Sequence, residues 1–422
     1  MKRGFLNTSK SKKEPHLLAT QMQESDEKRD LNKSSQNVVD IAHPAPYEPK
    51  ALPPSTMVNS PRADYGEGTL AVSTIPEHFE DGPADPDGHT EWIVRGPTLT
   101  KTLNLPGFPS PIPKPRRQNM YIIKPSKGMG LGMFAMCDIK AGDLILSERP
   151  LLVYPIAAVQ DTPNQRELLR SPTQNTKSAS QMVEYEQLIE VTLERMSDEG
   201  CFAFLSLANV HTKDRSRPLL GIIKTNGYEA MGIGDGPEPP SGGRYGPGRG
   251  YGAVCELGSR VNHSCLPNVA FWFKRSSFSM QITAIKDIKA GEELFSSYCD
   301  LLQSAAGRKA ALAIYRFECK CAFCLHATPI TDQLRGEFAV RVRRLTKQCE
   351  GWIRAPRVDA TILDPVLQLE KDVIKEGLDT QPPYRLLLGV IQVLYTKLGM
   401  REKAKHYTEI RRRFEALCRE EE

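Results

Sequence analysis

Asn262-His263-Ser264-Cys265-Leu266-Pro267-Asn268 crowds polar side chains and one thiol just ahead of an apolar β-type run, Val269-Ala270-Phe271-Trp272-Phe273. Taken alone, an Asn-His-Ser run is a capped turn, and a lone histidine is ordinarily just hydrogen-bonded. The stretch gains weight from two segments C-terminal to it. Glu293-Leu294-Phe295-Ser296-Ser297-Tyr298 reads as a strand end carrying a tyrosine, and about 20 residues later comes Cys319-Lys320-Cys321-Ala322-Phe323-Cys324. The ordered combination is far more specific than any of its parts.

Three thiols this close point to zinc if the compartment is reducing, because a structural site wants four soft tetrahedral ligands. The triplet supplies three. By chemistry alone the fourth is Cys265, Cys299, Cys255, Cys349 or His326, set against a bland alternative of buried, unliganded thiols.

Working outward, Val254 to Tyr298 reads as short strands, including Met280 to Ile285. Gly232 to Gly252 is rich in Gly and Pro, nearly without apolar residues, and is expected to be a loop. Residues 164–213 read as helical, with Leu188, Val191 and Met196 among charges. Tyr121-Ile122-Ile123 opens a β-rich region and leads into a glycine turn through Gly128, Gly130 and Gly132. A dinucleotide loop needs a helix directly after such a turn. Here Asp138 to Gly142 makes another turn and β-type runs come next, which excludes that reading. The turn sequence Asp138-Ile139-Lys140-Ala141-Gly142-Asp143 is echoed at Asp287-Ile288-Lys289-Ala290-Gly291-Glu292 without pointing to any chemistry.

Past Cys324 the pattern is helical. Asp364-Pro365 reads as a cap with a first-turn proline, Gly377 and Gly399 as helix stops, and Pro383–Leu398 with Arg401–Cys418 as a helical hairpin. Its Arg411-Arg412-Arg413 run reads as a solvated helix face, with an acidic-partner surface as the alternative. At the other end, half of the 32 prolines lie before residue 116, and Lys10 to Lys33 is charged with almost no apolar periodicity. Such composition cannot offset its ordering entropy, so residues 1–117 are expected to be a disordered, Pro-rich arm. The arm is a linker or a ligand for partners that grip Pro-rich segments.

The whole chain, 422 residues with 40% apolar and 25% charged, has ordinary globular composition and room for two or three domains. It has no apolar run long enough to span a membrane. Met1 to Lys13 is basic but lacks the apolar stretch of a secretory signal, leaving nucleus and/or cytoplasm as the expected location. The 56 basic and 51 acidic residues leave +5, too little to imply direct nucleic-acid binding by charge.

The motifs together resemble SET-domain protein lysine methyltransferases, and more narrowly the SMYD-like group, over about Asn119 to Cys324. Lys127-Gly128-Met129-Gly130 resembles the family's opening glycine motif, whose backbone lies against S-adenosylmethionine. Asn226 resembles a cofactor-contacting asparagine, Asn262 and His263 the cofactor signature, Tyr298 the catalytic tyrosine, and Phe317 an aromatic packed on adenine. In the family the signature cysteine and the later three share one zinc, which implies Cys265, Cys319, Cys321 and Cys324. Leu151 to Gly200 contains no cysteine, so the group's MYND finger is absent.

The resemblance implies an α+β fold of several small sheets with a pseudoknot. Its parts are a SET domain over 118–300 with a helical insert at about 160–250, a post-SET zinc segment at 301–326, and a helical region from 327 to 422. It implies methyl transfer from S-adenosylmethionine to a lysine of a protein substrate, histone or not, with Tyr298 positioning the amine and a structural zinc. Phe271, Trp272 and Phe273 are candidates for an apolar lysine channel, although strand residues of this kind are more often plain core. The alternatives are a catalytically inactive SET scaffold binding partners through its arm and helical tail, and a zinc-dependent nucleic-acid module.

Overall fold

The computed structural model describes residues 70–77, 85–156, 172–213, 216–236 and 249–418. The strands run in chain order as β1 Leu70–Ile75, β2 Thr90–Arg95, β3 Tyr121–Ser126, β4 Gly130–Ala135, β5 Leu144–Glu148 and β6 Leu152–Pro155. They continue as β7 Gly227–Gly234, β8 Gly250–Val254, β9 Asn262–His263, β10 Val269–Lys274, β11 Ser279–Ala284 and β12 Phe295–Ser296. They form four small sheets, ordered β1-β2-β6-β8-β7, β10-β11-β5, β12-β9 and β3-β4, so the fold class is α+β. The β-type runs around the signature pair as antiparallel neighbours, Val269 opposite Ala284 and Phe273 opposite Met280. A core of Met133, Ile145, Val261, Ile282 and Leu294 lies beneath them.

The expectation of a disordered arm through residue 117 fails for its last third. β1 and β2 pair with each other, and β2 pairs in parallel with β6, at the edge of the largest sheet. Trp92 is fully buried, its ring 4.8 Å from Phe278 and 6.0 Å from Tyr251. Two six-residue segments rich in Val, Thr and Ile bury well when a sheet elsewhere in the chain offers an edge. The Pro-rich run 109–115 is also held: Ser110 N–H donates to Ser276 O (2.8 Å) and Ile112 N–H to Asp87 Oδ2 (3.0 Å). Prolines cannot donate, but the residues between them do, and these tie the run down as a strap. Residues 1–69 and 78–84, including Ala45 to Pro49, lie outside the described residues. The expected loop Gly232–Gly252 is likewise part sheet, because β7 ends at Gly234 and β8 begins at Gly250; residues 237–248 lie outside the described residues.

The two echoed turns clasp each other. Ile139 and Ile288, each 1% exposed, exchange backbone hydrogen bonds of 2.8 and 2.9 Å. Lys140 pairs with Asp287 (2.7 Å) and Lys289 with Asp138 (2.8 Å), while each aspartate also accepts the N–H of Ala290 or Ala141 across the pair. One sequence unit used twice thus ties the end of β4 to the turn that feeds β12.

Helices α1 Gly96–Leu103, α2 Pro172–Arg195, α3 Asp198–Leu205 and α4 Pro218–Asn226 follow in the first part of the chain. The last three lie within residues 172–226, with Leu188 and Ile189 buried against Tyr154 and Phe204. Glu186 of α2 accepts the Leu219 and Leu220 N–H groups at 2.9 Å each. A carboxylate at the positive end of α4 fixes the helix that terminates in Asn226.

The C-terminal part comprises α5 Ala305–Leu312, α6 Ala322–Leu325, α7 Pro329–Arg354, α8 Leu363–Lys375, α9 Pro382–Lys397 and α10 Arg401–Cys418. Gly377 and Gly399, at φ of 66° and 73°, stop α8 and α9 as the sequence suggests. Phe338, Val342, Leu387 and Ile391 make a separate core there. In the arginine run, Arg411 pairs with Glu415, and Arg412 and Arg413 share Glu409, as on a solvated face. No helix among the described residues is long and apolar enough to cross a membrane.

Candidate active site

The signature and the tyrosine segment run side by side as a parallel pair, Phe295 opposite Asn262 and Ser296 opposite His263. Asn268 Nδ2 donates to Glu293 O (2.9 Å), while its Oδ1 accepts Phe295 N–H (2.7 Å), so both ends of the crossing are tied. Residues more than 30 positions apart in the chain thereby share one small volume.

His263 joins the two segments. Its Nδ1 accepts the backbone N–H of Tyr298 at 3.0 Å, so the ring proton belongs on Nε2, which faces Cys265 Sγ at 3.5 Å. Burial lowers the imidazole to about 4, with Arg308 opposing protonation further, so the ring is neutral at physiological pH. Tyr298 donates its hydroxyl to Val261 O (2.7 Å) and is pushed above the ordinary phenol range, chiefly by burial. It is a neutral phenol, suited to orienting a group rather than removing a proton.

Rings gather around it. Tyr298 lies 4.9 Å from Tyr315 and 6.4 Å from both Phe317 and Tyr228, and Phe317 lies 5.8 Å from His263. Phe317 and Tyr298 thus come together with the signature, and Tyr315 and Tyr228 join them, neither of which sequence reasoning singled out. Tyr228 also donates to Val261 O (3.2 Å) and stacks on Phe271 at 4.0 Å. Of the three candidate channel aromatics, Phe271 and Trp272 line a cavity beside this cluster. Phe273 is instead buried core, edge-on to Phe278 at 5.3 Å.

The glycine motif is the tip of the β3–β4 hairpin. Lys127, Gly128 and Gly130 are exposed and Met129 is half-buried, with Gly128 and Gly130 at φ of 77° and 72°. Just beyond it, a Cβ on Gly132 would collide with the Glu293 carboxylate and lie 3.0 Å from Asn262 Nδ2. Glu293 is the residue that sequence reasoning missed here: it accepts Asn262 Nδ2 (2.8 Å) and Ser126 Oγ (2.8 Å), locking hairpin and signature together. Asn226 is buried, and its Nδ2 donates to Ala208 O (2.7 Å) and Ile222 O (2.8 Å), leaving the amide oxygen as its remaining polar atom.

Cys265, Cys319, Cys321 and Cys324 bring their sulfurs within 4.8 Å of one another, with Cys265 at 3.9 Å from Cys319 and 3.5 Å from Cys324. Four sulfurs at about 2.3 Å from one zinc would lie about 3.8 Å apart, so the donor set fits that ion. Among the other candidates, Cys255 lies in a different core, Cys349 shares the core of Cys265 without joining its sulfur cluster, and Cys299 groups only with His263 and Cys265. His326 is in neither cluster. The surroundings match an anionic centre: Arg308, 0% exposed, points Nη2 at Cys324 Sγ (3.7 Å), and Arg335, 1% exposed, is buried nearby. Hydrogen bonds from Cys265 and Cys319 pull the Cys321 thiol well below its usual range.

Residues 130–299 match the SET-domain family model. Over 252 residues the chain is 29% identical to the histone-lysine N-methyltransferase set5 of Schizosaccharomyces pombe, covering 58% of this chain and 65% of that protein. It is 41% identical over 73 residues to the protein-lysine N-trimethyltransferase SMYD5 of Mus musculus, which is 16% of this chain and 18% of that one. The chain therefore spans less than two thirds of these relatives. A solved SET domain of LSMT, bound to lysine and AdoHcy, aligns over 72% of this chain and 93% of its own at 12% identity and a TM-score of 0.25.

Proposed function

We propose, from the match of residues 130–299 to the SET-domain family model, that the chain is an S-adenosylmethionine-dependent protein-lysine N-methyltransferase. The observation that carries this reading is the convergence of Asn262, His263, Tyr298 and Phe317 through the β9–β12 pair. The activities for which set5 and SMYD5 are named, both lysine methylation, agree with it.

S-adenosylmethionine supplies an electrophilic methyl group on a cationic sulfonium. The residues that would hold it are the hairpin backbone from Lys127 to Gly130, the Asn226 amide oxygen, Asn262 and the His263 backbone, Tyr298 and the Phe317 ring. The Asn226 oxygen can only accept, which suits an ammonium group. Tyr298, its proton committed to Val261 O, would offer its oxygen to the amine and the polarised methyl, acting by position and electrostatics. A free lysine with pKa about 10.4 is protonated at neutral pH. The apolar faces of Tyr228 and Phe271 favour its neutral form, and holding the amine at near-attack distance supplies much of the acceleration.

Cys265, Cys319, Cys321 and Cys324 would hold a structural zinc, with all four positions taken by protein. Its role is to staple the signature to the segment that carries Phe317. The substrate is a protein lysine, on a histone or another protein. The reading is tested by incubating the full chain with labelled S-adenosylmethionine and either core histones or a whole-cell extract. Label on lysine is expected; absence of both label and cofactor binding would sink the reading.

A further inference from the structure

A cavity of about 1010 Å³ opens between the SET strands and the C-terminal helices. Ser297 and Cys299 line it on either side of Tyr298, so its inner end reaches the ring cluster. Tyr228, Phe271 and Trp272 give it an aromatic wall. The opposite wall is built by α7, the start of α9 and the end of α10, contributing Arg343, Arg385, Phe414 and Glu415.

The charges are segregated between the walls. On the strand side the acidic lining residue is Glu229. On the helical side Glu415 is shared by two guanidiniums, Arg411 at 2.9 Å and Arg385 at 4.0 Å. Arg343 is exposed and has no acidic partner among the described residues. Two arginines, Arg343 and Arg385, thus line the helical wall with one carboxylate, Glu415, and that wall carries one surplus positive charge. An extended segment whose lysine enters past Tyr228 must lay its neighbouring side chains against that wall. Basic neighbours would meet Arg343 and Arg385 at like charge; acidic neighbours would complete the pairs.

We propose, resting on the methyltransferase reading, that this cleft docks an acidic protein segment, seating the target lysine at the strand wall and adjacent Asp or Glu side chains against Arg343 and Arg385. Selection then comes from the C-terminal helices, while the SET strands hold the lysine itself.

The test uses the full chain, labelled S-adenosylmethionine and a peptide library with one central lysine. An acidic, neutral or basic residue is placed at each of about four positions on either side. The wild type is expected to label acidic members about fivefold faster than basic ones at one or more positions, through KM, as befits two partly exposed ion pairs. The ratio should shrink as salt is raised. Arg343→Glu combined with Arg385→Glu should invert the preference while leaving S-adenosylhomocysteine affinity unchanged, since both side chains are exposed. Lys371→Glu with Lys375→Glu, on exposed positions of α8 outside the cavity, should leave the preference alone and so controls for net charge. Methyl transfer without acidic preference, a preference untouched by charge reversal, or faster labelling of basic members would overturn the docking inference alone. Labelling of the chain itself ahead of every peptide would also overturn it, giving the cleft to a segment of this protein. No transfer to any peptide or to cell extract, with no cofactor bound, would overturn the underlying reading instead.

Discussion

Glu148 lies beneath the active-site strands, its carboxylate accepting the N–H of Leu257 (3.1 Å) and Gly258 (2.6 Å), in the turn that feeds Val261 and Asn262. Burial raises it from 4.5 to about 7, outweighing the backbone donors that favour the charged form. Proton counts give the sign. Between these values the unfolded chain has released the proton and the folded chain still holds it, so stability falls as pH rises through the window. The contribution is complete below about 4.5, declines toward about 7 and is level above. At about 1.4 kcal/mol per pKa unit, the difference between 4.5 and about 7 is on the order of 3 kcal/mol. Glu148→Gln removes the titration and keeps one acceptor for the turn. Urea unfolding of both proteins at pH 5, 6, 7 and 8 should show a steeper loss of stability in the wild type, by that order, with the two profiles parallel above the window. Equal slopes throughout, or a steeper slope in the variant, would refute the assignment.

Cys265→Ser is expected to lower bound zinc from about one equivalent to well below half by metal analysis, while His326→Ala retains it; full retention in the serine variant would break the proposed ligand set. Glu293→Ala removes the acceptor of Asn262 Nδ2 and Ser126 Oγ. At about 1.5–3 kcal/mol per charge-assisted bond, it should weaken S-adenosylhomocysteine binding about tenfold to hundredfold by calorimetry. Ile139→Ala and Ile288→Ala each empty a site in the turn clasp and should cost about 2–5 kcal/mol in chemical unfolding. Because the two turns are bonded to each other, the double variant should lose less than the sum.

The parts of the site that could be read from sequence are those whose chemistry is local. Three thiols within six residues announce a metal, and a signature with a tyrosine strand end behind it announces a site, whatever the intervening chain does. The hairpin α9–α10 was legible because apolar periodicity and stop glycines act along one helix. Glu293 was not legible, since its role exists only once Asn262 and Ser126 arrive from distant segments. Tyr228 and Tyr315 were hidden in the same way: each sits close in sequence to a residue of obvious interest, but only packing puts their rings beside Tyr298. β1 and β2 were concealed by averaging, two short burial-competent segments inside a proline-rich stretch whose sheet edge comes from β6. The echoed turns were visible as a repeat, yet nothing in a repeat says that its two copies grip one another.

The central claim is that one set of residues around Tyr298 transfers a methyl group to a protein lysine. Wild type and Tyr298→Phe should be compared for labelled methyl transfer to core histones and cell extract, with S-adenosylhomocysteine affinity measured on the same samples. Label on lysine is expected in the wild type, with a loss of about a hundredfold or more in the variant and cofactor affinity changed far less. Undiminished transfer by the phenylalanine variant, or transfer by neither protein despite full cofactor binding, would contradict that claim.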